Sequence, residues 1–178
     1  MTVQEIINKY YPVGSLRRDI YVKHCQQVAD KALDIARRKN LELDEEDIVT
    51  GAMLHDIGIF LTNAPGIDCH GELHYMCHGT AGAELLRREG FEERFARIAE
   101  CHTGAGITAD EIEASGHPIP IKDYIPTSLL ERLICYADKF YSKSGEMKEK
   151  SLERVRLSMS KFTPATLARF EELHAQFA

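Results

Sequence analysis

An imidazole and a carboxylate stand side by side inside an apolar run, Leu54-His55-Asp56-Ile57-Gly58, and no other stretch constrains the chain as tightly. The preceding segment, Asp44 to Leu54, reads as a helix with Asp44 as N-cap and Glu45, Glu46 and Asp47 in its first turn. Gly58 is placed to end it. Ile48 and Ala52 lead by steps of four to Asp56, and Ala52 is three before His55, so both polar groups point at or beside the packed face. A carboxylate buried there must be paired or coordinated, because burying it alone costs several kcal/mol. One such dipeptide fits a core histidine beside an N-capping aspartate equally well, so a metal site depends on what the other segments contribute.

Other predicted helices contribute in the same way. Ser15 can cap a long helix to about Asn40 in which Leu16, Ile20, His24, Val28 and Ala32 recur by four, which turns His24 to the core. His70, His74 and His78 also recur by four. Gly71 confines the surer helix to about His74–Glu89, with Gly90 as its stop; His78, which precedes the close-packing glycines, is the strongest ligand of the three and His74 the next. Gly79 and Gly82 in that helix predict close packing against the His55-Asp56 helix. Phe91, Phe95, Ile98 and His102 form another apolar stripe that ends in histidine, with Arg94 and Arg97 off it and solvated. From Ser128 the pattern Leu129, Leu130, Leu133, Ile134 and Ala137 carries Asp138 on its apolar face, a second misplaced carboxylate, with Lys139 and Lys143 nearby.

The remaining segments frame this set. Residues 2 to 10 predict a short amphipathic helix, and helices over Glu149–Lys161 and from Thr163-Pro164 to Phe177 are read as structural. The turn residues of 62–68 predict one wall of a pocket. The glycine- and proline-rich stretch 104–127 is expected to border the pocket mouth, with a short helix opened by the capping box Thr108-Ala109-Asp110-Glu111 and closed by Gly116. No alternating strand segments are evident. The expectation is an all-α fold in one domain over 1–178, with a core of about five helices at 15–145, an N-terminal helix in 1–14 and C-terminal helices in 146–178.

A length of 178 residues suffices to bury roughly 70% of the unfolded surface without a disulfide or zinc staple. Five cysteines with no C-x-x-C pair, and an N-terminus without a basic or apolar leader, predict a cytoplasmic protein with reduced thiols. No apolar run predicts a membrane span. A net charge of −6 argues against a nucleic-acid polymer as partner, while a small anionic substrate remains compatible because bound cations reverse the local field. Imidazole and carboxylate donors without thiolate suit iron, manganese or zinc in a five- or six-coordinate site.

The order His24, His55-Asp56, Asp138 on helices resembles the HD-domain superfamily of metal-dependent phosphohydrolases. His78-Gly79-Thr80-Ala81-Gly82-Ala83 and His102-Thr103-Gly104 resemble the two additional histidine motifs of its dinuclear subgroup, which includes bacterial diadenosine tetraphosphate hydrolases. The resemblance implies an all-helical core and two divalent ions, iron or manganese first, with zinc, nickel, cobalt or magnesium as alternatives. His24, His55, Asp56 and Asp138 would hold one ion, and Asp56, His78 and His102 the other. It implies hydrolysis of a small nucleotide or phosphate ester by a hydroxide shared between the ions and held by Asp56. His74, Lys139 and Lys143 are the candidates to bind substrate phosphate, with His74 and Lys139 also candidates for catalysis, and Arg18 or Lys23 as further bases. Many dinuclear relatives carry a lysine shortly after the His-Asp pair, absent here, and the Gly-Tyr-Pro signature and doubled histidine of the cyclic-dinucleotide phosphodiesterases are also absent. Two other readings share the ligand set: a di-iron oxygenase that cleaves a small organic substrate, and a non-catalytic nucleotide sensor.

Overall fold

The computed structural model describes residues 1–178, and its helices begin where the sequence supplies caps. Thr2 closes a capping box with Glu5 and opens α1 (Val3–Tyr10). Ser15 accepts from the Arg18 amide and opens α2 (Leu16–Arg38). Asp44 accepts from the Glu46 and Asp47 amides and opens α3 (Glu45–Leu54). Next come α4 (His78–Arg88), α5 (Glu93–Cys101) and α6 (Ala109–Ser115), the last opened by the Thr108–Glu111 capping box and closed by left-handed Gly116. Ser128 caps α7 (Leu129–Asp138), Ser151 caps α8 (Leu152–Ser160), and Thr163 with Pro164 starts α9 (Pro164–Phe177).

The fold is all-α apart from one small hairpin, β1 (Asn63–Ala64) paired antiparallel with β2 (Cys69–His70). Two-residue strands are too short to show an alternating pattern, which is why the sequence gives no sign of them. α2, α3, α5 and α7 pack on one another, and α4 lies along α5. One apolar core runs through these five helices, includes Ile6 and Ile7 of α1, and continues into Val155, Phe170 and Phe177 of the C-terminal pair. A smaller cluster, Ile107, Ile112 and Tyr124, holds α6. No helix is long and apolar enough to cross a membrane.

Several boundaries differ from the periodicity for local reasons. α3 stops at Leu54, so His55 and Asp56 lie in the turn that follows it. Gly58 does not end the helix by adopting a left-handed conformation; its φ is −84°. It is a contact point, where an added Cβ would stand 2.6 Å from the Gly82 amide nitrogen of α4. Gly82 thus packs on the His55-Asp56 turn as expected, but Gly79 faces α5, where a Cβ would meet Ala99 O at 2.7 Å. α4 starts at His78 instead of His74 because Tyr75–Cys77 forms a 3-10 turn whose Met76 amide is capped by His74 Nδ1. α8 starts three residues later than expected, at its Ser151 cap. Arg97 is not solvated: it donates to Glu100, Glu131 and Ile125 O, while Arg94 pairs with Asp47.

The close approach of Gly58 to α4 sets the distance between two ligand-bearing segments. Gly58→Ala should destabilise by about 1–3 kcal/mol, because the obstructing atoms are backbone and cannot rotate away. Gly66→Ala, with nothing near its Cβ, should stay within about 0.5 kcal/mol of the parent. Urea unfolding compares them, and equal stability would show that α4 can move off the turn at no cost.

Candidate metal centre

Helix ends converge at the buried centre. α2 supplies His24 from mid-helix, the end of α3 supplies His55 and then Asp56, α4 supplies its first residue His78, α5 its C-cap His102, and α7 its last residue Asp138. Three of the imidazoles are fixed by the same device. Nδ1 of His55 faces Ala52 O at 2.6 Å, Nδ1 of His78 faces Tyr75 O at 2.6 Å, and Nδ1 of His102 faces Ala99 O at 2.8 Å. Each carbonyl lies three residues back; those of Ala52 and Ala99 are in the last turn of a helix, where carbonyls lack intrahelical partners, and that of Tyr75 is in the 3-10 turn before α4 and also accepts the His78 amide. The network thereby assigns the proton to Nδ1 and directs Nε2 into the centre.

The inward atoms are crowded. Asp56 Oδ2 lies 3.2 Å from His24 Nε2 and 3.3 Å from His55 Nε2. Its other oxygen, Oδ1, lies 3.2 Å from His102 Nε2 and 3.5 Å from His78 Nε2. Asp138 Oδ1 stands 3.0 Å from His24 and 3.4 Å from His55. Two donor groups result, His24, His55, Asp56 and Asp138, and Asp56, His78 and His102, each with its donor atoms within 4.8 Å of one another. Asp56 belongs to both.

Two observations fit this set to metal ions. His78 Nε2 and His102 Nε2 approach to 3.1 Å although both Nδ1 atoms hold the donor protons, so two lone pairs face each other. Burial, then the neighbouring His102, pushes the His78 imidazole down to about 3, and burial likewise lowers His102, so neither ring carries a second proton to bridge the gap near neutral pH. A cation held by both rings would remove the repulsion. In addition, Asp56 Oδ1 is fully buried with no hydrogen-bond donor, an arrangement that folded proteins rarely tolerate.

The remaining charges are balanced by two lysines. Burial opposes ionisation of Asp56, but Lys143 and His55 hold its carboxyl well below the usual range; Lys143 Nζ lies 2.6 Å from Oδ2. Asp138 is likewise held low, against burial, by Lys139 and His24, with Lys139 Nζ at 2.8 Å. Burial pushes the His55 imidazole down, yet Asp56 and Asp138 outweigh it and raise it well above its ordinary value.

A cleft of about 570 Å³ opens onto the centre, with His78, His102 and Asp138 in its lining. Lys139 and Lys143 line it as well, and Ala64, Gly66 and Ile67 form the wall expected of the 62–68 turns. His74 does not reach it: the side chain is exposed and caps its own 3-10 turn. Arg18 is engaged with Tyr11 O and Asn8, and Lys23 lies on a separate groove. From the 104–127 stretch only Gly104 touches the cleft; Arg169 of α9 holds that stretch elsewhere through Ala105 O, Gly106 O and Glu111. The expected pocket mouth is formed instead by residues 141–144, Lys150, Ser158, Met159 and Phe162, so α8 and its approach are not purely structural. Their only sequence signal is the run of serine and lysine after Asp138. Cys25 and Cys101 are buried, whereas Cys77 is partly exposed and donates to Pro118 O.

The chain belongs to the HD domain family, which matches residues 21–142. It is 40% identical over 120 residues to an uncharacterised protein of Methanocaldococcus jannaschii, covering 66% of this chain and 63% of that one. It is 36% identical over 124 residues to a protein of Picrophilus torridus named tRNA (cytidine(56)-2'-O)-methyltransferase, covering 70% and 32%. A protein of the same name from Thermoplasma volcanium is 32% identical over 145 residues, covering 82% and 38%. The matched stretch therefore spans less than two thirds of each relative's own length. No solved structure matches. HD domains bind divalent metals, and the buried His and Asp cluster is the part of this chain that could hold them.

Coordination by His55 requires its Nε2 proton to leave. Metal binding should release about one proton per chain from this group, and affinity should rise with pH until the raised His55 value is passed. Calorimetry with manganese in buffers of different ionisation enthalpy measures both. An affinity constant between about pH 6 and pH 8 would place His55 outside the coordination sphere.

Proposed function

We propose that the protein is a phosphohydrolase that uses two divalent metal ions, iron or manganese in preference to others, on a small phosphorylated substrate, with a nucleotide as the favoured class. The observation that carries the proposal is Asp56, a fully buried carboxylate that turns one oxygen to His24 and His55 and the other to His78 and His102. That is the placement of a bridging ligand. The lone-pair contact between His78 and His102 supports a second ion beside the first.

When bound, such a pair of ions supplies a water acidic enough to ionise near neutral pH and neutralises charge that builds on the phosphoryl oxygens. The protein's own part is placement. The backbone carbonyls of Ala52, Tyr75 and Ala99 hold three imidazoles in one tautomer, so no reorientation is needed as charge develops. Lys139 donates to His102 O at 2.7 Å and to Asp138, which ties the ends of α5 and α7 together at the cleft floor. Lys143 places a positive charge at the cleft wall beside Asp56.

Lys150, a lysine of the cleft without a carboxylate partner, favours an anionic substrate and so suits hydrolysis of a phosphate ester. Methyl transfer to tRNA, named for two relatives, is not carried over. The match covers about a third of those proteins, and a net charge of −6 gives little to neutralise a polynucleotide backbone.

Protein purified without chelator should contain close to two transition-metal ions per chain by elemental analysis. Asp56→Ala should lose both and all turnover, whereas the double variant His78→Ala, His102→Ala should keep one. Unchanged metal content and turnover in the double variant would make the site mononuclear. A screen of nucleotides, dinucleoside polyphosphates, sugar phosphates and tRNA should give phosphate or nucleotide release from the small compounds with manganese and without oxygen. Oxygen-dependent turnover would favour the oxygenase reading, tight nucleotide binding without product the sensor, and preference for tRNA a polymer substrate.

A further inference from the structure

Lys139 and Lys143 are the obvious phosphate holders, yet both ammonium groups are occupied by carboxylates of the metal centre, at 2.8 Å and 2.6 Å. A third ammonium on the same cleft is free. Lys150 is half-buried, and its Nζ forms no hydrogen bond or ion pair. Its backbone is anchored, because its amide donates to Phe140 O at 2.8 Å, one residue beyond Lys139. Burial lowers its pKa, Asp138 opposes this, and Lys139, Lys143 and Arg154 add to the lowering. A partly desolvated cation among like charges and without a counter-ion is unfavourable unless something anionic arrives.

The surroundings show where such an anion would lie. Lys150 borders both the main cleft and an adjoining recess of about 500 Å³ that also contains Ser151, Lys148 and Arg154, with Glu146 and Glu149 in its lining. A group on Lys150 would thus stand beside the metal centre but not on it. Elsewhere the cleft is lined by Met159 and by Phe162, which is 43% exposed, a surface suited to the organic part of a substrate.

We propose that Lys150 receives a second anionic group of the substrate, one that is not attacked, so that the preferred substrate carries a linked phosphate chain instead of a single phosphate. The inference rests on the phosphohydrolase reading of the cleft. Lys150 acts as a specificity residue: it holds the chain that leads away from the reacting phosphorus.

The test uses manganese-loaded protein, with inorganic phosphate and pyrophosphate titrated by calorimetry into the parent, Lys150→Gln and Lys150→Arg. Chelation of manganese by the anions acts equally on all three proteins and cancels in the ratios. Lys150→Gln should weaken pyrophosphate by about tenfold or more while changing phosphate by less than about twofold, as loss of one charged hydrogen bond to the distal group requires. Lys150→Arg should restore most of the difference, and thermal unfolding of each variant should match the parent. Equal weakening of both anions, or no weakening of either, overturns the assignment. Hydrolysis of p-nitrophenyl phosphate is followed alongside. Ester turnover without a Lys150-dependent preference defeats the inference and leaves the hydrolase; the preference without turnover of any ester supports the anion receptor and defeats the hydrolase.

Discussion

The fully buried carboxylate of Asp56 is the constraint on which the other parts of the site depend. Taking one ionised carboxylate out of water costs several kcal/mol even after the surroundings relax. Here the cost is met from three directions: Lys143 at 2.6 Å, four imidazole nitrogens between 3.2 and 3.5 Å, and the cations that the leftover lone pairs invite. Lys143 alone satisfies only Oδ2. Oδ1 has no donor, and the two rings nearest to it point lone pairs at each other. That half of the centre is incomplete without a cation, whereas the His24 and His55 half is partly balanced by a proton on His55.

Helix ends make this arrangement affordable to the backbone. Five of the six donor residues sit at or just beyond a helix terminus, and at the ends of α3 and α5 the carbonyls of Ala52 and Ala99, left without intrahelical partners, accept from an imidazole Nδ1. The same termini must approach closely, and Gly58 against Gly82 allows it, because a methyl group at Gly58 would collide with backbone and one at Gly82 would crowd it. Core packing, cap chemistry and ligand orientation are therefore one problem with one solution. Moving α4 by a fraction of an ångström would alter the distance between Asp56 and His78.

The cleft divides its charges by role. Lys139 and Lys143 compensate ligand carboxylates, and Lys150 lines the cleft without a carboxylate partner. The two walls come from segments distant in the chain, the hairpin turn at 64–67 and the approach to α8 at 141–162. The HD-family match ends at residue 142, so Lys150, Met159 and Phe162 lie beyond the part of the chain that the family shares. Substrate choice can vary there without disturbing the metal centre, which is the usual division between a rigid scaffold and the loops that surround it.

The helical core and the candidate ligands were legible because helical periodicity and burial act on the same residues. His24, His55, Asp56, His102 and Asp138 each continue or end an apolar stripe, and a polar residue placed there must find a partner inside. Caps such as Ser15, Asp44, Thr108 and Ser128 are local chemistry and read directly as helix starts. What periodicity could not reach was any property set by contacts between distant segments. His74 shares the spacing of His78 yet is exposed, because a 3-10 turn breaks the helix between them; the 104–127 stretch is pinned by Arg169 away from the cleft; and Lys150 is brought to the cleft by its amide bond to Phe140 O, ten residues back. The sequence by itself determined which side chains must be buried and which helices carry them, since those follow from spacing along one chain. Only the tertiary structure decided which oxygen of Asp56 faces which histidine and which lysine is left without a partner, since those depend on distances between elements that no spacing encodes.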